Sequence, residues 1–261
     1  MTDDLFDSID AWALAYVQTD DLAHKLAPPA PPRRFAVRPS PLRLTAPGRP
    51  PELRLAPKSK RSVRREQVRV PRWRAHVLHG FLHHELQAAE LMCWAILAFP
   101  AAPARFRFGL LKICRDEIRH LNLYRREVER LGFQVGDFPV RDWFWSRVRT
   151  CATPVQFVAL LGLGLEGGNL DHAPRFAEWF RAAGDETAAR VQEVVAREEI
   201  GHVRFAAQWF AHWTGGLDFA RWQQELPAPL TAALLRGRPL NRTARRAAGL
   251  PDAFLDALEA P

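Results

Sequence analysis

Two Glu-x-x-His motifs are the part of this sequence best suited to chemistry. They are Glu117-x-x-His120 and Glu199-x-x-His202. Three residues along an α-helix turn by about 300°, so the glutamate and the histidine of each motif project from one face, one turn apart. Each motif could therefore bind a metal ion. A single copy would be a weak signal, because such a pair is usually a solvated pair on a helix surface.

A lone glutamate precedes each motif at nearly the same distance. The spacing from Glu85 to Glu117 differs by a single position from the spacing between Glu166 and Glu199. The distance between the two motifs therefore also agrees with the distance between the two lone glutamates to within one position. This spacing indicates an internal repeat of a helix pair, in which one helix supplies a glutamate and the next supplies Glu-x-x-His.

Two lone glutamates and two Glu-x-x-His motifs on four helices are the ligand inventory of a di-metal carboxylate site. The six predicted ligands are Glu85, Glu117, His120, Glu166, Glu199 and His202. Four buried carboxylates would each cost several kcal/mol without cations, and two divalent ions remove that cost. Oxygen-rich ligands with two imidazoles favour two iron ions, with manganese as the alternative, and leave open positions for dioxygen or peroxide.

The first lone glutamate has an alternative. Glu90 lies closer to Glu117 in the sequence, which breaks the repeat, and about 140° around the helix from Glu85, so Glu85 is preferred. The second lone glutamate, Glu166, follows an apolar stretch in which the preceding charge is Arg149, as expected of an inward-facing residue.

Several further polar residues could support the metal ligands without binding the ions themselves. Ligand histidines usually donate their second ring N–H to a carboxylate or a carbonyl, and Glu90 or Asp171 could accept it. His172 and the His83-His84 pair are further polar groups of this kind, for which a structural role is the alternative. Tyr124, two helical turns after Glu117, would face the metals as a hydrogen-bond donor or a redox-active group, or would be a plain core aromatic.

Four long helices must position these residues. The apolar periodicity, the prolines and the glycines predict helices over 73–98, 104–131, about 154–183 and about 185–213, with the third disturbed at Gly167-Gly168 and Pro174. The longer connection 137–150 lies between the second and the third. Four long helices with one crossover are typical of a ferritin-like four-helix bundle, so the predicted fold class is all-α.

The chain outside the four helices divides into three predicted segments. Residues 1–26 contain an amphipathic helix over 5–26 that begins at Leu5, residues 27–72 form an extended arm rich in proline and arginine, and residues 216–261 form two or three short helices after the bundle at 73–215. Residues 27–74 hold fourteen Lys or Arg against two acidic residues, and eleven of the 21 prolines. Such an arm could bind a polyanion such as tRNA, or lie over the domain as a strap with its charges solvated.

The composition restricts the class of protein. The chain has 261 residues, 48% of them hydrophobic, and a net charge of +8, which excludes a wholly disordered protein. Three cysteines are too few for a disulfide framework or a cysteine zinc site, and favour a reducing cytoplasm. The N-terminus lacks the basic start and apolar run of a signal peptide, and no uncharged run reaches the roughly 18 residues of a membrane span, so a cytoplasmic location is predicted.

Four strings around the predicted ligands carry a resemblance to known proteins. They are HHELQA at 83–88, DEIRH at 116–120, LEGGNLDHAPRF at 165–176 and EIGHV at 199–203. The block from about 75 to 213 resembles the ferritin-like superfamily and, more narrowly, a bacterial ferritin-like family of unassigned function. The di-iron hydroxylases that modify a hypermodified adenosine in tRNA are more distantly similar. The resemblance implies a fold and a metal site rather than a substrate.

The leading functional hypothesis is a non-haem di-iron oxidoreductase that uses dioxygen or peroxide to oxidise or hydroxylate a substrate. The basic arm favours an anionic substrate such as tRNA, and the chemistry would need a reductase as electron donor. Two alternatives remain open: an iron-handling ferroxidase, store or sensor, and a non-catalytic interaction protein that retains the bundle. An oligomer is compatible with each of them.

Overall fold

Helices make up the regular structure of the computed structural model, which describes residues 6–37, 39–56 and 63–260. Within these ranges there is no β-strand, and Leu55 and Val140 form an isolated bridge. The predicted all-α class is therefore confirmed. The helices are α1 (Ile9–Gln18), α2 (Leu22–Leu26), α3 (Pro71–Ala98), α4 (Ala104–Arg130), α5 (Trp143–Val148), α6 (Pro154–Phe157), a π-helix (Val158–Glu166), α7 (Gly167–Ala182), α8 (Glu186–Thr214), α9 (Phe219–Glu225), α10 (Arg242–Ala247) and α11 (Asp252–Glu259), with 3₁₀ turns at Arg65–Arg69 and Ala232–Leu234.

The long helices begin and end where local sequence signals predicted. Pro71 occupies the first turn of α3, where its missing N–H costs nothing. Helix α8 begins after Asp185, whose carboxylate accepts from the Ala188 N–H, and ends at Gly215, whose φ of 83° suits glycine. The single amphipathic helix predicted over 5–26 is instead two helices, because the chain is extended at Thr19 and Asp21 starts a new helix by capping the Ala23 N–H. Leu5 lies outside the described residues.

The third predicted helix contains a π-helix. The prediction placed the disturbance at Gly167-Gly168 and Pro174, but the helix continues through these residues as α7, and the irregular part is Val158–Glu166. Gly162 explains part of this geometry, because a Cβ there would lie 2.2 Å from the Ala206 Cβ of α8. The segment thus packs more closely on α8 than an alanine would allow. A π-helical segment widens the turn and changes the direction of the side chains within it, here including Glu166.

The chain divides into two units, residues 1–149 and 150–261. In the first unit, α3 and α4 pack along their length as a hairpin joined by residues 99–103, while α1 packs on α3 and α2 on α4. Every residue from Glu85 to Phe99 is buried. Helix α3 is therefore the central element of this unit.

The basic arm is a strap on the first unit over the part that the structure describes. The Leu42 N–H donates to the Leu97 carbonyl, and the Trp94 indole donates to the Leu44 carbonyl, so the strap follows the end of α3. The expectation that its charges are solvated is wrong for Arg49, which lies largely buried against Glu90 at 2.6 Å. Arg38 and residues 57–62 of the predicted arm lie outside the described residues.

In the second unit, the π-helix and α7 pack on α8, and α10 packs on both α7 and α8. The C-terminal segment contains three short helices, α9 to α11, as predicted. Asp171 of α7 holds this segment in place by accepting from the Arg245 guanidinium at 2.7 and 3.0 Å.

The predicted arrangement of all four long helices in one bundle, and the four predicted domain limits, stay predictions. In the described part of the chain, no helix combines the length and the apolar character that crossing a membrane requires.

Candidate metal centre

Three predicted ligands come together in the first unit. Glu85 is on α3, and Glu117 and His120 are on α4, one turn apart. His120 Nδ1 lies 3.4 Å from the nearest carboxylate oxygen of each glutamate. The three side chains are buried, with Glu117 and His120 fully inaccessible to solvent.

Because the group is buried, ionisation of both of its carboxylates is unfavourable. Burial raises the pKa of the Glu85 carboxyl well above its usual value; the hydrogen bond from His120 opposes the rise, and the neighbouring Glu117 adds to it. A positive charge at this point would reverse the effect, because it favours the ionised form of both carboxylates. The electrostatics of the site therefore suit a cation.

The geometry also suits a metal ion. Each of the three residues offers a ligand atom that lies within 4.8 Å of the ligand atoms of the others. An ion about 2.0–2.2 Å from each oxygen and nitrogen would fit within that separation. Two carboxylates with one imidazole form a ligand set that iron, manganese and zinc all accept, with hard oxygen donors in the majority. This buried group could therefore bind a metal ion.

The second unit repeats the motif geometry. Glu199 and His202 lie one turn apart on α8, both buried, and the Glu199 Oε2 is 3.0 Å from His202 Nδ1. In both motifs the glutamate faces the same histidine nitrogen, Nδ1. Glu166, also buried, is the last residue of the π-helix.

Glu90 is engaged in a different group. Its Oε1 accepts from Lys25 Nζ at 2.7 Å and from Arg49 Nη1 at 2.6 Å. Lys25 is fully buried and also donates to the carbonyls of Tyr16 and Val17. Two cations already neutralise Glu90, whereas Glu85 faces Glu117 and His120. Of the two alternatives, Glu85 has the surroundings of a ligand.

The other predicted supporting residues lie in ordinary structural contacts. Asp171 binds Arg245 and the backbone N–H groups of Gly237 and Asn241. His172 Nδ1 lies 3.2 Å from the guanidinium of Arg175. Tyr124 is buried with its ring 5.6 Å from that of Phe81.

The sequence interpretation missed the residues that surround His83. Its Nε2 lies 3.0 Å from Asp142 Oδ1, and Asp142 also accepts from Arg49 Nε at 3.0 Å. No sequence spacing could have shown this, because the three residues come from α3, the residue before α5 and the strap. The nearby His84 ring stacks on Phe144.

Comparisons with known proteins identify relatives without assigning an activity. The sequence profile of a family described as "Protein of unknown function (DUF455)" matches residues 9–256. An "Uncharacterized protein" of Haemophilus influenzae is 29% identical over 192 residues, which cover 70% of this chain and 66% of that protein. No solved structure matches the chain.

Proposed function

This chain belongs to the DUF455 family, and we propose that it is a ferritin-like di-iron carboxylate protein that uses dioxygen or peroxide to oxidise or hydroxylate an organic substrate. The observation that carries the proposal is the motif geometry that recurs in both units. In each Glu-x-x-His, a buried carboxylate oxygen approaches the histidine Nδ1, at 3.4 Å in the first motif and 3.0 Å in the second. Oxygen and nitrogen atoms so placed can share one cation.

In this proposal, six residues hold the two ions. Glu85, Glu117 and His120 supply ligands from the first unit, and Glu166, Glu199 and His202 supply them from the second. The support for pairing the two sets is the sequence repeat, in which the motifs and the lone glutamates recur at spacings that agree to within one position. Iron held by such ligands supplies redox chemistry with dioxygen or peroxide.

The protein's own contribution is to desolvate and orient the ligands. Glu85 must lose its proton and His120 must be neutral at Nδ1 to bind a cation, so loading the site releases protons to solvent. Burial of Glu117 and Glu199 keeps water from competing for the carboxylate oxygens.

Metal stoichiometry tests the ligand assignment. Protein purified without a metal-binding tag and loaded anaerobically with Fe(II) should hold two ions per chain, as the ligand count requires. Glu117→Ala and Glu199→Ala should each hold at most one. The matched controls are Asp116→Asn and Glu198→Gln, since each changes the neighbouring acidic residue on the same helix and should leave the stoichiometry unchanged.

Oxygen consumption separates the proposed redox activity from metal storage. Reduced, loaded protein should consume dioxygen, and Glu117→Ala should lose that consumption. Unchanged stoichiometry in both alanine variants would remove the ligand assignment. If the loaded protein consumes no dioxygen, the oxidase proposal is wrong and a metal-handling role replaces it.

A further inference from the structure

Two of the three cysteines lie in direct contact inside the first unit. Cys93 is on α3 and Cys114 is on α4, and their Sγ atoms are 3.5 Å apart. Both side chains are fully buried, and the two residues are thiols rather than a disulfide. A single buried cysteine usually packs as a small hydrophobic residue. Two sulfurs in contact have, in addition, the placement that disulfide formation requires.

The geometry favours a disulfide over other oxidation products. A bond of about 2.05 Å needs each sulfur to move by only about 0.7 Å from the present separation. The bond adds no atoms to the packed interior. A sulfinic acid, or a mixed disulfide with glutathione, would instead need space and hydrogen-bond partners inside a close-packed core. The buried pair is therefore suited to a clean conversion between dithiol and disulfide.

A series of ionic groups leads from the protein surface to the pair. The Arg49 side chain is 12% exposed and pairs with Glu90, whose Oε1 also accepts from the buried Lys25. Lys25 interacts electrostatically with Cys93, and Glu90 interacts in the same way with Cys114. The surroundings of the two sulfurs are therefore polar on one side. Local opening along this series admits a small polar molecule, whereas the packed core excludes a bulky reagent.

Glu90 offers a hydrogen-bond acceptor to such a molecule. Its Oε2 is buried and has no hydrogen-bond partner among the residues that the structure describes. Buried polar atoms of this kind are normally paired. Glu90 lies one helical turn before Cys93 on α3, so the two side chains project from one face. Hydrogen peroxide is small, donates hydrogen bonds and oxidises thiols, and thus fits both the unpaired oxygen and the two sulfurs.

We propose that Cys93 and Cys114 are a redox-active dithiol that reduces hydrogen peroxide to water and becomes an intramolecular disulfide. The Lys25 ammonium stabilises the Cys93 thiolate, which attacks one peroxide oxygen. The O–O bond breaks, the leaving hydroxide takes the proton that Cys93 has lost, and Cys93 becomes a sulfenic acid. The Cys114 sulfur then attacks the Cys93 sulfur and displaces hydroxide, which takes the Cys114 proton and leaves as the second water.

This inference goes beyond the proposed di-iron function and does not depend on it, so the test uses the reduced full chain in EDTA. After hydrogen peroxide is added, the protein is denatured, alkylated with iodoacetamide and digested without a reductant. Mass spectrometry should show a Cys93–Cys114 cross-link, and two of the three thiols of each chain should be lost to alkylation. Peroxide consumption should equal the amount of cross-link formed, because two thiols supply the two electrons that one peroxide needs.

Substitutions assign the reaction to this pair. Cys93→Ser and Cys114→Ser should each abolish the cross-link, with far-UV circular dichroism confirming the fold. Cys151→Ser is the matched control, because it changes the remaining cysteine, which is also buried. This variant should form the same cross-link and consume the same amount of peroxide as the wild type.

Three results would overturn the proposal. The first is a wild-type chain whose three thiols are all alkylated after peroxide treatment. The second is a cross-link to Cys151, or between two chains, in place of the Cys93–Cys114 bond. The third is a wild-type product in which Cys93 or Cys114 is a sulfinic or sulfonic acid. A Cys93–Cys114 cross-link that forms in EDTA while iron loading fails would uphold the dithiol and contradict the proposed function alone.

Discussion

At the scale of single residues, the proposed metal ligand Glu117 is unfavourable for the metal-free fold. It is buried beside Glu85 and raises the pKa of that carboxyl, so the two acids oppose each other until a cation binds. Glu117→Gln removes one of the charges while keeping the shape of the side chain. Metal-free Glu117→Gln should therefore gain about 1 kcal/mol in free energy of unfolding, and Fe(II) should add less stability to it than to the wild type.

Urea denaturation in EDTA and in anaerobic Fe(II) checks this prediction. Asp116→Asn is the control, since Asp116 is a partly exposed neighbour whose nearest Arg119 nitrogen is 3.9 Å away, and it should match the wild type in both conditions. A metal-free Glu117→Gln protein less stable than the wild type would contradict the account of this site.

His79 makes the first unit sensitive to acid. Its Nε2 accepts from the Gly136 N–H at 2.9 Å, and burial lowers its pKa to about 4, with His83 and His76 adding to the shift. The unfolded chain protonates His79 near pH 6.5, while the folded chain keeps it neutral until about pH 4. The contribution to stability is therefore complete above pH 6.5 and is lost as the pH falls towards 4.

The variant His79→Gln retains an acceptor for Gly136 but does not titrate. Between pH 7 and pH 5, in EDTA, the wild type should lose on the order of 2 kcal/mol more free energy of unfolding than His79→Gln. Chemical denaturation at several pH values measures the difference. Parallel pH curves for the two proteins would rule out a neutral, buried His79.

The sequence could predict the motif geometry but not the buried ion pairs of Glu90. Helical periodicity alone places Glu117 with His120 and Glu199 with His202, and the structure has both pairs. In contrast, the pairing of Lys25 with Glu90 joins residues 65 positions apart, and local pattern carries no signal for such contacts.

At the scale of elements, close packing of the π-helix on α8 depends on Gly162. A Cβ at this position would meet the Ala206 Cβ at 2.2 Å, so Gly162→Ala should destabilise the protein by about 1–3 kcal/mol. Ala206→Gly in the same chain should restore part of that loss, because it removes the opposing Cβ.

Gly201→Ala is the matched control. It lies in mid-helix with nothing within 4 Å of its Cβ position, and should gain about 0.5–1 kcal/mol. Thermal or chemical unfolding of the variants in EDTA gives the coupling energy. A Gly162→Ala protein as stable as the wild type would contradict the close approach of the π-helix to α8.

The limits of the long helices could be predicted because proline, Asp185 and Gly215 mark them locally. The π-helix could not, because alternating glycine and leucine residues fit several helical hydrogen-bond patterns and packing against α8 selects one of them. The strap has no periodic pattern. Its path is set by contacts with residues far away in the sequence, such as the carbonyls of Leu44 and Thr45 that accept from the indoles of Trp94 and Trp145.

At the scale of the whole molecule, binding of a polyanion such as tRNA stays a prediction. Substitution of exposed arginines in the strap and in the 3₁₀ turn at Arg65–Arg69 can test it. Arg33, Arg65 and Arg69 are exposed, whereas Arg49 is committed to Glu90 and must be left intact. Changing the three exposed arginines to Gln should weaken binding of tRNA and lower its logarithmic salt slope by about 2, if each contacts one phosphate.

The control changes three exposed arginines of α4, Arg105, Arg115 and Arg126, to Gln and thus removes the same charge elsewhere. Filter binding or fluorescence anisotropy over a salt series measures both slopes. Equal slopes in the two triple variants would show that the basic residues near the N-terminus serve only to cover the first unit.

The central proposal is that the two Glu-x-x-His motifs and the two lone glutamates bind two iron ions that react with dioxygen. The most direct measurement is elemental analysis of tag-free protein, followed by anaerobic Fe(II) loading and an optical spectrum after oxygen is admitted. We predict two irons per chain and a new absorption band that Glu117→Ala and Glu199→Ala lack. Protein that holds no iron after loading, or that shows no spectral change with oxygen, would contradict the claim.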